Sequence, residues 1–356
     1  MSAAELAERV ARIRLAAEAA LYLRLNAGAG FAEARLPAQT YLRDAAASAR
    51  LARGTLRPEG THRKALAEVQ AALAVPSPPV ARLAQLAARL GLEPIDLALI
   101  EVVIAHALDP DVRALIAALA RGVTAELAAE VATLAGVAID PAALVRALHP
   151  ASPLRATGAM IVEGPVPACT LALGVGILDW LLGDERLPAP LATAVRLIDR
   201  DPGVWLPVAT QAAIDQVATW LTADPSGVAA FVGPAGVGRR AAAHRLARAL
   251  ERPLLHISLA ALAELEKRGA GAHLLGLALT CARLRGAVPY LAEIDALFVD
   301  GKDDPRALAQ LAAHPGPLAF GATARGGLAL GRPVHAIRLP RVELDERERA
   351  WQLALG

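Results

Sequence analysis

The chain has 356 residues, 55% of them hydrophobic and 3% aromatic, which is ample for the cores of two or three domains. A formal net charge of +2, with lysine only at Lys64, Lys267 and Lys302, excludes the strongly basic field of a general polyanion binder. Two cysteines, Cys169 and Cys281, exclude a disulfide framework or thiolate metal site and fit a reducing cytoplasm.

Residues 1 to about 75 read as a helical region, with apolar residues at helical spacing through SAAELAERVARIRLAAEAALYLRL and THRKALAEVQAALA. Glu5, Glu8 and Arg9 interrupt any apolar leader. Pro76, Pro78 and Pro79 mark a boundary, after which residues 80–190 form a second region of short helices. Asp140-Pro141 is a helix start, with Asp140 as N-cap and Pro141 at the first helical position. The pattern then changes to short β-like runs, ATGAMIVEG and PACTLAL, and a compact helix around Ile177 to Leu182. Three helices followed by a hairpin outline a winged helix. Only Arg146 and Arg155 lie near its would-be recognition helix and wing, so a packing role is expected ahead of DNA binding. The apolar stretch Met160 to Leu182 is too broken by Glu163, Asp179, glycines and prolines to span a bilayer.

Residues 191–223 read as a linker, DRDPGVWLP, and a helix from about Thr210 to Leu221. From 224 to 340, apolar β-like runs alternate with helices, which predicts a mostly parallel sheet covered on both faces. Its first strand, Val228 to Val232, runs into Gly233-Pro234-Ala235-Gly236-Val237-Gly238 and then an Ala/Arg/Leu-rich helix. Glycines at this spacing let successive amides converge on a phosphate at a helix N-terminus. In a chain with 28 glycines the spacing alone is unspecific. The strand before it, the helix behind it and VPYLAEIDAL about fifty residues on point to the ancestry of a nucleotide loop, which is not the same as present-day binding. Arg239 stands at the lysine position of such loops and Arg240 at the position of the Mg²⁺-ligating hydroxyl. Cys281 falls on the helical stripe Leu274, Leu277, Ala278, Cys281 and is read as core. The eight histidines show no metal-ligand spacing.

In these motifs the region from about 205 to 356 resembles AAA+ ATPases, a family of P-loop NTPases whose second acidic motif usually ends Asp-Glu-x-Asp-Ala-Leu. The resemblance implies an α/β P-loop core preceded by a mostly helical half with a winged-helix-like segment. It implies ATP or ADP as ligand, protein partners and assembly into homo- or hetero-oligomers in the cytoplasm, with no membrane and no nucleic acid. By motif position Glu293 is the catalytic base and Asp295 the remaining acid near the metal, while Ala292 stands where the first acid should be. Thr323 matches the water-positioning polar residue. Arg332 matches the arginine finger, with Arg325 second, and LDERERAWQLAL (344–355) the start of an incomplete lid at 341–356. With Arg240 and Ala292 in these places Mg²⁺ is expected to be held poorly. The first half resembles, more loosely, an AAA+ subgroup with some members encoded beside phage-tail-like contractile injection systems, through LGLEPIDLALIEVVIAHALDP and SPLRATGAMIVE. The sequence therefore predicts an AAA+-type ATP-binding switch or remodelling ATPase with weak or absent hydrolysis. The alternative is a non-catalytic scaffold joining an active relative or a larger apparatus.

Overall fold

A computed structural model describes residues 3–27, 62–75, 80–120, 122–166, 168–199, 205–268, 274–299, 302–323 and 330–341, together with residues 348 and 352. The chain divides into two compact units, 1–184 and 185–356.

The first unit is helical. Its centre is α4 (Pro94–Leu108), reached through α1 (Ala3–Ala27), α2 (His62–Leu73) and α3 (Ala81–Leu90), and followed by α5 (Pro110–Leu119) and α6 (Ala125–Leu134). Leu99, Ile100, Val102, Val103 and Ile104 of α4 are all buried, which a helix apolar on every side requires. α1 packs against α2, α4, α5 and α6. The described helices before residue 76, α1 and α2, thus pack within this unit. Arg9 reaches Glu101 at 2.6 Å, and Arg12 donates to the carbonyls of Leu73, Val75 and Ala135, so side chains of α1 tie the helices together.

Next come α7 (Pro141–Ala147), α8 (Pro153–Ala156), the hairpin β1 (Met160–Glu163) and β2 (Thr170–Leu173), and α9 (Ile177–Leu181). Asp140 caps α7 as its sequence indicates, accepting from the Ala143 amide at 2.7 Å. α8 is a single turn, and Arg155 on it donates to the Leu148 carbonyl at 3.0 Å. Among the described residues no helix is long and apolar enough to cross a membrane.

The second unit is a six-stranded sheet. In chain order it contains β3 (Val195–Ile198), α10 (Val208–Ala223), β4 (Val228–Val232), α11 (Arg239–Ala249), β5 (Leu254–Ser258), α12 (Leu259–Lys267), α13 (Leu274–Arg285) and β6 (Val288–Ala292). A 3₁₀ turn (Ile294–Leu297), the two-residue strands β7 (Phe298–Val299) and β8 (Lys302–Asp303), α14 (Pro305–Ala312), β9 (Leu318–Ala322) and β10 (Val334–Arg338) complete it. The spatial order is β10-β4-β9-β6-β5-β3, parallel except for β3, which runs antiparallel at one edge. The unit thus begins at residue 185, and Val195–Ile198 already belongs to its sheet, ahead of the predicted linker.

Alternation along the strands sends successive side chains to opposite faces. Ala229, Phe231, Tyr290 and Ala319 meet α10 and α11 on one face; Val228, Ala230, Leu255, Leu291 and Phe320 meet α12, α13 and α14 on the other. Phe231 and Phe320 are fully buried, worth about 1.5–3 kcal/mol each. Cys281 lies in the second layer, and burial pushes its thiol up to about 11.

Candidate functional site

β4 ends where its chain must turn sharply into α11. Gly236 and Gly238 take left-handed backbone, at φ 85° and 89°, and Gly238 is the N-cap of α11. Gly233 is needed for another reason: a Cβ there would lie 2.4 Å from the Leu339 carbonyl oxygen, on the chain leaving β10. Pro234, Ala235 and Val237 fill the rest of the turn, with Val237 packed on the core beneath α11. Arg239 and Arg240 open the helix. The residues from Gly233 to Arg240 therefore form one strand, loop and helix start at the carboxyl ends of the sheet strands, where ligands of such sheets bind. A cavity of about 630 Å³ adjoins it, lined by Gly233, Thr323, Arg338, Leu339 and Pro340 among others.

Glu293 follows the last residue of β6 and has φ 60°. A non-glycine residue in that region is uncommon and costs about 1–2 kcal/mol, strain that collects at functional sites. The side chain is exposed, and its Oε2 accepts from the Ser258 hydroxyl at 3.0 Å. Ser258 also caps α12 through the Ala261 amide. Asp295 sits on the 3₁₀ turn and its Oδ2 accepts from Thr323 Oγ1 at 2.6 Å. Glu293, Asp295, Thr323 and the loop thus share the carboxyl end of the sheet.

Arg332 does not join them. It precedes β10 at the amino ends of the strands, with its Nε on the Ser226 carbonyl, Nη1 on Leu311 at 3.0 Å and Nη2 on Gly316 at 2.6 Å. Strands of five residues put roughly 16 Å between those two ends. Its guanidinium is tied to carbonyls of its own fold and clamps the strand starts together. Arg325, His273 and most of the lid segment lie outside the described residues.

Several site residues escaped the sequence reading. Tyr290 is 3% exposed on the α11 face of β6; burial raises its phenol to about 12, against the lowering effect of Arg239 and Arg240. His256 pairs with Tyr290 across β5 and β6, their rings 5.7 Å apart, and burial together with Arg240 lowers its pKa. Gly321 leaves room for the phenol. Period-two alternation in VPYLAE, which puts Tyr290 and Ala292 on one face, was the available signal.

The glycine loop, the strained glutamate and the helix start that carries the two arginines thus lie at one end of the sheet. No protein-family model matches the chain. No curated relative matches it either. Among solved structures it is similar to the AAA domain of FIGL-1 in complex with ADP, at 21% identity and TM-score 0.34 over 46% of this chain and 63% of that one. It is also similar to a second structure of the FIGL-1 AAA domain, at 21% identity and TM-score 0.35 over 48% and 67%. The chain spans less than two thirds of the first of these, and likeness at this level fixes neither family nor activity.

Proposed function

We propose that this chain is an AAA+-type protein that binds ATP or ADP and acts as a nucleotide-dependent switch on protein partners, with weak or absent hydrolysis. The observation that carries the reading is the loop from Gly233 to Gly238, where two left-handed glycines turn the interior strand β4 into a helix N-terminus. Converging amides and the helix dipole there favour phosphate oxygens. Glu293, strained and exposed at the end of β6, is the group that would orient a water.

Hydrolysis needs more than binding. A transition-state stabiliser is worth about 3 kcal/mol, and Arg240 and Ala292 replace two of them. Their joint loss, about 6 kcal/mol, lowers turnover by roughly four orders of magnitude. Calorimetric titration with ATP and ADP, in magnesium and in EDTA, tests the first part; phosphate release by the wild type and Glu293→Gln tests the second. No binding up to about 1 mM nucleotide, weaker than about 4 kcal/mol, refutes the reading.

A second reading is a non-catalytic scaffold that assembles with copies of itself, an active relative or a larger apparatus. The internal bonds of Arg332 favour it, because an assembly that completes active sites between neighbours needs a free cation. Turnover abolished by Glu293→Gln contradicts it.

A further inference from the structure

Phosphate loops of this kind ordinarily share their ligand with Mg²⁺, which takes oxygen donors from a loop hydroxyl and a carboxylate. The donors present here do not fit that ion. No hydroxyl follows Gly238, and Ala292 offers a methyl group at the end of β6. Glu293 and Asp295 each have one oxygen engaged by a hydroxyl, from Ser258 and Thr323. Among the described residues no group of three His, Cys, Asp or Glu could hold a metal ion.

The same space holds cations and a phenol. Tyr290 lies one pleat before Ala292 on the same face of β6. A Cβ at Gly321 would lie 2.4 Å from the Tyr290 hydroxyl and 3.6 Å from Arg239 Cδ, so the phenol and the arginine stem converge over a residue without a side chain. The Tyr290 side chain is more than nine-tenths buried. The charges of Arg239, Arg240 and Glu293 all reach it, and Arg240 also reaches His256. Neither Arg239 nor Arg240 forms an ion pair with a described residue. Guanidinium forks bind phosphate oxygens in pairs and need no metal to do so.

We propose that the loop takes the phosphates of its nucleotide without a divalent cation, with Arg239 and Arg240 supplying the counter-charge and the Tyr290 hydroxyl donating from the floor. This rests on the nucleotide reading above, and one set of titrations separates the two. ATP is titrated into the full chain in magnesium and in excess EDTA, for wild type, Arg240→Ala and Tyr290→Phe, with circular dichroism as the check on folding. Equal wild-type affinity in both buffers is expected, weakened about tenfold by Arg240→Ala and about fivefold by Tyr290→Phe in each. Binding in magnesium alone overturns the metal-free proposal and leaves the nucleotide reading standing. Binding in neither buffer overturns both. Binding in EDTA that Arg240→Ala leaves unchanged overturns the role given to the arginine.

Discussion

Gly321→Ala tests the packing on which the site floor depends. Gly321 lies in regular strand β9, so no backbone strain attends the substitution, and replacing a strand glycine by itself gains about 0.5–1 kcal/mol. The new methyl would lie 2.4 Å from the Tyr290 hydroxyl and 3.2 Å from its Cζ, contacts that a buried ring seated against His256 cannot relieve freely. Overpacking of that kind costs about 1–3 kcal/mol, which leaves a net loss of about 0.5–2 kcal/mol. Tyr290→Phe removes the atom at 2.4 Å and leaves only the contact at 3.2 Å, so the double variant recovers most of the loss. Urea unfolding followed by circular dichroism, at constant slope, measures all four corners of the cycle. A cost for Gly321→Ala that is the same in both backgrounds, within about 0.3–0.5 kcal/mol, refutes the steric account.

Glu293→Gly relieves a left-handed glutamate and raises stability by about 1 kcal/mol in thermal melts while abolishing any phosphate release; a melting point that drops shows the conformation is not strained. Arg332→Met frees carbonyls of Ser226, Leu311 and Gly316 and lowers stability by about 2–4 kcal/mol, with ATP affinity retained; lost affinity at full stability would restore a role at a nucleotide site. Burial, with Arg332, Arg283 and Arg252 nearby, holds His314 down at about 3. The folded chain keeps this imidazole neutral where the unfolded chain, at the ordinary 6.5, takes a proton. Stability is therefore complete above pH 6.5 and falls as pH drops toward 3, by up to about 1.4 kcal/mol per unit, and His314→Gln flattens that slope in melts between those limits.

The elements legible in the sequence are those whose cause is local. Asp140 and Asp304 each cap the helix that follows them within three residues, and both helices start where Asp-Pro marks them. The run from Val228 to Leu250 reads as strand, loop and helix because glycine spacing and apolar content change within a few residues. α12 went unread because Ser258 is both the last residue of β5 and the cap of the helix, so no turn residue separates them. β3 went unread because four residues antiparallel to a strand some sixty positions later carry no periodicity of their own. The same limit governs the site. Motif order located Glu293, Asp295 and Thr323, whereas the meeting of Tyr290 with Gly321 requires β6 beside β9, and the commitment of Arg332 requires β10 beside β4.

The bond from Thr323 to Asp295 joins the tip of β9 to the turn after β6 through the only proton a hydroxyl owns. Asp295 cannot recruit that proton while Thr323 lends it to an arriving ligand or water, so the two side chains form a latch with one key. A ligand or water that accepts this proton competes with Asp295 for it, whereas one that donates to the Thr323 hydroxyl leaves the bond in place.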